Sequence, residues 1–156
     1  MPEIGQPAPS FTLHSSAKEE VKLESFRGEK NVVLVFFPAA FTGVCKAELC
    51  SFQGAMSKLN AASAQVLAIS VDGPHPNAAF AEQNGIEFPV LSDVARKVVA
   101  LYGVAFENFG VPGNTVATRS VFVVDKEGVL RWSWLAPNPG VEPDYDEVLS
   151  AVGALG

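Results

Sequence analysis

The sequence predicts an α/β fold in which a central mixed β-sheet is flanked by helices. Over the first two thirds of the chain, apolar runs typical of buried strands alternate with stretches suited to helices. The last third instead carries two apolar runs joined by a short turn at residues 125–128, followed by one more helical stretch. Alternating strands and helices favour parallel pairing covered on both faces, whereas the late hairpin adds antiparallel strands.

The first half of the chain supplies a short hairpin and the two central strands. Two short alternating segments form a predicted N-terminal β-hairpin, and two longer apolar runs form buried strands. These predicted strands cover residues 11–13, 21–23, 31–37 and 65–71. Between the two central strands we predict a helix from about residue 42 to residue 60, with Gly54 as its weak point.

The second half continues the alternation and then changes it. A helix is predicted over residues 75–83, with Asn77 as its N-cap and Gly85 near its end. A strand at 89–91 precedes a helix that Asp93 caps and that runs to about Tyr102. A loop of Gly, Pro and Asn covers 103–117. The remaining predicted elements are strands at 119–124 and 129–135 and an amphipathic helix at 144–155.

Length and composition predict one globular domain, 1–156. A hydrophobic content of 48% with 18% charged residues is typical of a chain that buries a core. The net charge of −6 counts against nucleic acid and anionic membrane surfaces as partners. No apolar run is long enough for a membrane span, and the N-terminus lacks the basic and apolar regions of a signal peptide. We therefore expect a cytoplasmic protein.

The cysteine and histidine content limits the chemistry further. The chain has two cysteines, Cys45 and Cys50, and in a reducing compartment such a pair favours catalytic or redox use over a structural disulfide. The two histidines, His14 and His75, lie in unrelated segments and do not give a recognisable set of metal ligands. No metal site is expected.

The segment PAAFTGVC at residues 38–45 joins the first central strand to the predicted helix. Cys45 then lies in the first turn of that helix, where backbone N–H groups have no partner within the helix and the helix dipole is positive. This position favours an anion, and the thiolate is the nucleophilic form of cysteine. Cys45 is therefore a candidate nucleophile.

The same segment resembles a known family. Pro38, Thr42 and Cys45 reproduce the Pro-x-x-x-Thr-x-x-Cys signature of the peroxiredoxins. Glu48, three residues beyond the cysteine, and Arg119, at the start of a predicted strand, are also placed as in that family. The resemblance extends from residues 5–9 to the terminal helix and implies a thioredoxin-like fold with no haem, flavin or metal cofactor.

The sequence resembles two subgroups of this family, each in a different feature. The segment 36–45 is most similar to the one-cysteine alkyl hydroperoxide reductase E group. Cys50, in contrast, has the spacing of the resolving cysteine in the bacterioferritin-comigratory, or Q-type, group. Membership of the family is thus implied more specifically than membership of either subgroup.

The implied activity is that of a thiol-dependent peroxidase in antioxidant defence. A thiolate attacks one peroxide oxygen, and the other leaves as water or alcohol. Complete ionisation of an ordinary cysteine gains only about thirty-fold, or roughly 2 kcal/mol, at neutral pH. The site must therefore also align the oxygens and stabilise the leaving one. We assign these roles to the Thr42 hydroxyl, to the first-turn N–H groups of Val44 and Cys45, and to the Arg119 cation, with Pro38 shielding the site from water.

Glu48 and Cys50 each leave an alternative open. Helical spacing places Glu48 on the face of Cys45, where a free carboxylate would disfavour a thiolate. The resemblance implies that Glu48 instead binds and orients Arg119; the alternative is an ordinary solvated glutamate. Cys50 is either the thiol that captures oxidised Cys45 as a disulfide or a free cysteine packed as a small hydrophobe.

Geometry restricts the resolving role of Cys50. Five residues on an intact helix correspond to a rise of about 7.5 Å and a rotation of about 140°. A disulfide needs Cα atoms within about 7 Å and converging side chains. If Cys50 resolves the sulfenic acid, one or two turns of the helix must unwind after oxidation.

The expected partners follow from this chemistry. They are a peroxide as substrate, thioredoxin or another thiol as reductant, and a second copy of the chain in a homodimer, with a monomer as the alternative. Two rival functions remain at this level. A disulfide oxidoreductase would need Cys-x-x-Cys, whereas the spacing here is Cys-x-x-x-x-Cys. A redox sensor would react once with peroxide instead of turning over.

Overall fold

The computed structural model describes residues 1–155, which contain nine strands and five α-helices. The strands are β1 (Thr12–Ser15), β2 (Glu20–Lys22), β3 (Asn31–Phe36), β4 (Ala64–Ser70), β5 (Val90–Ser92), β6 (Ala105–Phe106), β7 (Val116–Ala117), β8 (Ser120–Val124) and β9 (Leu130–Leu135). The helices are α1 (Gly43–Gly54), α2 (Met56–Ala61), α3 (Pro74–Asn84), α4 (Lys97–Leu101) and α5 (Tyr145–Gly153). Gly156, the last residue of the predicted domain, lies outside the described residues.

Seven of the strands form one mixed sheet in the order β2-β1-β5-β4-β3-β8-β9. The central strands β3, β4 and β5 pair in parallel because helices connect them in sequence. Strand β8 returns antiparallel to β3, and β9 follows it as a hairpin. The N-terminal hairpin β1–β2 completes the other edge through β5. The predicted mixed sheet with helices and an N-terminal hairpin is confirmed.

Strand β3 contributes side chains to two hydrophobic cores, one on each face of the sheet. All of its residues are buried, and successive side chains point to opposite faces of the sheet. Val33 and Val35 pack beneath α1, α2, α3 and α5, whereas Leu34 and Phe36 face α4 and the N-terminal segment. Burying one such side chain contributes about 1.5–3 kcal/mol. The β3 strand is consequently a rigid support for the loop that follows it.

The helix predicted over residues 42–60 is interrupted. Helix α1 ends at Gly54, and the N–H of Ala55 bonds to the carbonyls of Ser51 and Phe52 before α2 begins at Met56. Glycine lowers helix stability, so the break falls next to the predicted weak point. Helix α1 therefore has only about three turns.

Asn77 is not the N-cap of α3, and that prediction is wrong. The cap is Gly73, and Pro74 occupies the first turn, where its missing N–H costs nothing. Asn77 is instead fully buried one turn later. The end of the helix is as predicted, because Gly85 adopts a left-handed φ of 64° that suits glycine.

Asp93 lies farther from the start of the helix than the N-cap position predicted for it. Helix α4 begins only at Lys97, after Arg96 in a left-handed conformation. The Asp93 carboxylate accepts a hydrogen bond of 2.8 Å from the N–H of Val99 and so still satisfies a first-turn donor. The region predicted as a loop at 103–117 contains the small hairpin β6–β7. Within residues 1–155, no helix is both long and apolar enough to cross a membrane.

Candidate active site

The pairing of β3 with β8 creates the site. Phe36, the last residue of β3, lies opposite Ser120, the first residue of β8. Arg119, immediately before Ser120, therefore lies beside the loop that connects β3 to α1. Cys45 lies in the first turn of α1, at the end of that loop. Residues distant in sequence thus meet at one end of the sheet.

Arg119 contacts both the cysteine and the glutamate. Its Nη2 donates to Cys45 Sγ at 3.2 Å, and its Nη1 donates to Glu48 Oε1 at 2.8 Å. Cys45 and Glu48 are fully buried, and Arg119 is 2% exposed. A cation held against a sulfur away from water favours the thiolate.

A backbone carbonyl that the sequence analysis missed fixes the guanidinium. The carbonyl oxygen of Pro139 accepts from Arg119 Nε at 3.1 Å and from Nη2 at 2.9 Å. The only sequence signal was the cluster of prolines around residue 139, which indicates a rigid segment but not its contact. With these bonds, the planar donor set of Arg119 is held by three residues from two parts of the chain, helix α1 and the segment after β9.

Burial alters the ionisation of Glu48. Loss of hydration raises the pKa of Glu48 from its ordinary value of 4.5 to about 8, although the Arg119 cation opposes this effect. Its Oε2 atom is buried and has no hydrogen-bond partner among the described residues. Because this carboxyl ionises less readily than a solvated glutamate, less negative charge faces Cys45. Loss of hydration acts to lower the pKa of Arg119, but its interactions with Glu48 and Cys45 outweigh this effect, so the pKa is raised and Arg119 stays cationic.

Thr42 immediately precedes α1 and does not occupy the N–H groups of the first turn with its side chain. Thr42 is in the N-cap position, but its side chain does not bond to the first-turn N–H groups. Its hydroxyl donates to the carbonyl of Ala39 at 2.9 Å. The hydroxyl proton is thus engaged, and the oxygen lone pairs remain as acceptors. Pro38 is buried at the start of the same loop.

Phe41 is held in a strained conformation beside this threonine. Its φ of 66° lies in the left-handed region, which a bulky residue adopts at a cost of about 1–3 kcal/mol. Its ring is 56% exposed and packs edge to face against Phe80, with centroids 5.5 Å apart. Phe41 thus places a surface ring next to Thr42.

Cys50 is not brought to the site. It is half-buried on α1, and both cysteines are free thiols. The helix is continuous between Cys45 and Cys50. In this conformation the two sulfurs cannot form a disulfide, because helical geometry separates them.

Comparison with known proteins places this geometry in a family. Residues 4–133 match the family model described as AhpC/TSA family. The chain is 38% identical over 157 residues to alkyl hydroperoxide reductase E of Mycobacterium tuberculosis, covering 99% of both chains. It is 35% identical over 153 residues to chloroplastic peroxiredoxin Q of Populus jackii, covering 97% of this chain and 68% of that one. The crystal structure of peroxidoxin BcpB from Mycobacterium tuberculosis superimposes with a TM-score of 0.86 at 26% identity, covering 98% of this chain and 97% of that one. The chain therefore belongs to the AhpC/TSA family: it is a peroxiredoxin with a thioredoxin-like fold, and thus a thiol-dependent peroxidase.

Proposed function

We propose that Cys45 is the peroxidatic residue and that it reduces hydrogen peroxide and organic hydroperoxides. The observation that carries this assignment is the 3.2 Å contact between Arg119 Nη2 and Cys45 Sγ in a buried site. The thiolate sulfur attacks one oxygen and the O–O bond breaks. Cys45 becomes a sulfenic acid, and the other oxygen leaves with the bonding electrons and takes up a proton to become water or an alcohol.

The surrounding groups account for the rate enhancement. The Thr42 oxygen can accept a hydrogen bond from the peroxide, because its own proton is engaged by Ala39. The uncapped N–H groups of the first turn of α1 and the Arg119 guanidinium donate to the developing charge. Removing one such donor from a buried site typically costs about 10²–10³-fold in rate. Glu48 orients the guanidinium through its 2.8 Å bond, and Pro38 closes the site on the side of β3.

Substrate access requires a small movement. Cys45 has no exposed surface in this conformation, whereas Thr42 is half-buried and Gly43 is exposed. A peroxide therefore reaches the sulfur when the loop of residues 38–43 shifts outward. Loop motions in proteins typically take nanoseconds to microseconds.

Cys50 is the proposed resolving residue. Attack of its thiolate on the Cys45 sulfenic acid forms the disulfide and releases water. Helix α1 must open for this step, and its early end at Gly54 leaves few residues beyond Cys50 to disrupt. Thioredoxin or another thiol then reduces the disulfide. In the alternative, one-cysteine cycle, an outside thiol attacks the sulfenic acid directly.

The whole chain, residues 1–156, would act as one domain in cytoplasmic antioxidant defence. One continuous seven-stranded sheet with a core on each face supports the single unit. We also propose that the chain pairs as a homodimer, with a monomer as the alternative.

Intact-mass measurement tests this function. Reduced wild type, Cys50→Ser and Cys45→Ser are each treated with one equivalent of hydrogen peroxide without added thiol. We expect wild type to lose two hydrogens, Cys50→Ser to gain one oxygen and Cys45→Ser to stay unchanged. A stable gain of one oxygen by wild type would refute resolution by Cys50 and establish the one-cysteine cycle. A wild type that does not react would refute the assignment of Cys45.

Turnover separates a peroxidase from a sensor. With thioredoxin, its reductase and NADPH, we expect wild type to consume many equivalents of peroxide. Consumption of a single equivalent would contradict the peroxidase cycle with this reductant, and repetition with a low-molecular-weight thiol would identify a different donor.

A further inference from the structure

We propose that Asp72 is a positioning residue for the peroxide reaction, acting through the loop that carries Thr42; this inference rests on the proposed function. The Asp72 carboxylate oxygen Oδ2 accepts a hydrogen bond of 2.8 Å from the backbone N–H of Ala40. Asp72 follows β4, and Ala40 lies in the loop after β3. Because β3 and β4 run parallel, both residues lie at the same edge of the sheet.

The contact joins the loop to the sheet. The hydroxyl of Thr42 bonds to the carbonyl of Ala39, so that bond is internal to the loop. The bond from Ala40 to Asp72 instead reaches a residue 32 positions away. It fixes the residue between the acceptor of the Thr42 hydroxyl and the strained Phe41. A loop with a left-handed phenylalanine keeps its shape only when its surroundings over-determine it.

Asp72 is itself held by a buried polar network. Ser70 Oγ lies 3.0 Å from Asp72 Oδ2 and 3.0 Å from Asn77 Oδ1. Asn77 Nδ2 donates to Ser92 Oγ at 3.1 Å. Ser70 and Asn77 are fully buried, and Ser92 is 8% exposed. The Ser70 hydroxyl donates its one proton to one of these two oxygens at a time. Buried polar side chains linked in this way resist displacement, because moving one leaves another without a partner.

This network explains why Asn77 is buried in α3 and does not cap it. The amide links β5, through Ser92, to the end of β4, through Ser70 and the carbonyl of Asp72 at 3.4 Å. The ends of β4 and β5 and the first turn of α3 thereby form one rigid support behind Asp72. The carboxylate then transmits this rigidity to the loop of residues 38–42.

The chemical consequence concerns Thr42 and not the sulfur. Cys45 belongs to α1 and is fixed by Arg119, so loss of the Asp72 bond leaves the sulfur and its contact with the guanidinium in place. The Thr42 oxygen, in contrast, would lose its fixed distance from the sulfur. A misplacement of about 1 Å at a reacting centre can cost about 10²-fold in rate.

The test compares two reactions of the same sulfur. Asp72→Ala and the protein with native Asp72, both carrying Cys50→Ser so that Cys45 is the single thiol, are reduced and treated with hydrogen peroxide in a stopped-flow experiment and, separately, with iodoacetamide. Alkylation needs a reachable thiolate but no Thr42 oxygen. We expect the rate constant for peroxide to fall about ten- to a hundred-fold, with alkylation as fast as in wild type or faster. Asp72→Asn, which keeps an oxygen to accept from Ala40, should stay within about threefold of wild type in both reactions.

Asp125→Ala is the matched control. Asp125 also accepts backbone hydrogen bonds, from the N–H groups of Glu127 and Val129, but in the β8–β9 turn far along the sheet. It should lower stability without changing the ratio of the peroxide rate to the alkylation rate. If Asp72→Ala does not fold, Ser70→Ala, which removes the hydroxyl bonded to Asp72, should lower that ratio by a smaller factor.

The outcomes separate this inference from the proposed function. An active wild type with an unchanged ratio in Asp72→Ala, or in Ser70→Ala where the former does not fold, would overturn the role of Asp72 alone. A fall in both rates by the same factor would show that Asp72 has only a structural role. That result would also overturn the proposed positioning role. A wild type inert toward peroxide would overturn both proposals.

Discussion

Arg119 Nη2 lies 3.2 Å from Cys45 Sγ although the two residues are 74 positions apart in the chain. The distance is set by the sheet, because β8 pairs with β3 and brings Arg119 to the loop before α1. Glu48 and the carbonyl of Pro139 hold the other donors of the guanidinium. The cation at the sulfur is therefore a fixed part of the fold and not a mobile surface charge.

Arg119→Lys should lower the rate constant for hydrogen peroxide about a hundred-fold. An ammonium group is a point charge on a flexible stem and cannot bond to Cys45, Glu48 and Pro139 in the geometry of the planar guanidinium. Stopped-flow measurement on the reduced enzyme checks this. Arg131→Lys, at the exposed ion pair with Asp125, is the control and should stay within about twofold of wild type. A rate for Arg119→Lys within threefold of wild type would show that charge alone suffices.

Thr42→Val should slow peroxide reduction about a hundred-fold, because valine has the shape of threonine without the acceptor oxygen. Thr42→Ser restores the hydroxyl and should recover most of the rate. Both variants are measured as second-order rate constants with hydrogen peroxide. If the serine variant were as slow as the valine variant while both remained folded, the hydroxyl would not be the group that matters.

Replacing Glu48 with glutamine should change how stability depends on pH. Burial raises the pKa of Glu48 in the folded state from 4.5 to about 8, so between these values the folded state binds more protons than the unfolded one. The contribution of Glu48 to the free energy of unfolding therefore falls as pH rises through this window. Glutamine does not titrate. The free energy of unfolding of wild type should therefore fall relative to that of Glu48→Gln from about pH 5 to pH 8.

Urea unfolding of both proteins measures this difference. A Cys45→Ser background keeps oxidation of the sulfur out of the experiment. We expect the difference to change by more than about 1 kcal/mol across the window, since one pKa unit corresponds to about 1.4 kcal/mol. A constant difference, or one that changes in favour of wild type at high pH, would mean that Arg119 outweighs burial and holds Glu48 ionised.

Asp144→Ala should lower the free energy of unfolding by about 1 kcal/mol without affecting the peroxide rate. The Asp144 carboxylate caps α5 by accepting from the N–H groups of Asp146 and Glu147 at 3.0 and 3.2 Å. The N-cap variant Asp144→Asn keeps an acceptor and serves as the control. Equal stability of all three proteins in urea would contradict the capping role.

The order of elements along the chain and the segment that connects β3 to α1 could be predicted because they have local signals. Apolar runs define β3 and β4, and Pro38, Thr42 and Cys45 occur at fixed spacing on the connection to α1. The break near Gly54 followed from helix propensity.

Other features have no local signal. The acceptor at Pro139 is a backbone carbonyl, which any residue has. Asn77 looks like an N-cap in sequence, but the fold uses its amide to join Ser70 to Ser92. Asp72 reads as a turn residue after β4, and only the parallel pairing of β3 and β4 reveals its contact with Ala40. Such tertiary contacts depend on the assembled sheet, so patterns within one segment do not contain them.

With Cys45 as the proposed reactive residue, its complete burial restricts by size which molecules reach the sulfur. Hydrogen peroxide is little larger than water and needs only a slight displacement of the loop beside Gly43. A protein thiol is far bulkier and is admitted only when α1 opens. In the proposed cycle, oxidation and re-reduction therefore depend on two different movements, one of the loop before α1 and one of α1 itself. In this cycle, a substitution that stabilises α1 would leave oxidation fast and prolong the lifetime of the oxidised form. The stability of α1 would then set how long the protein stays oxidised after one reaction with peroxide.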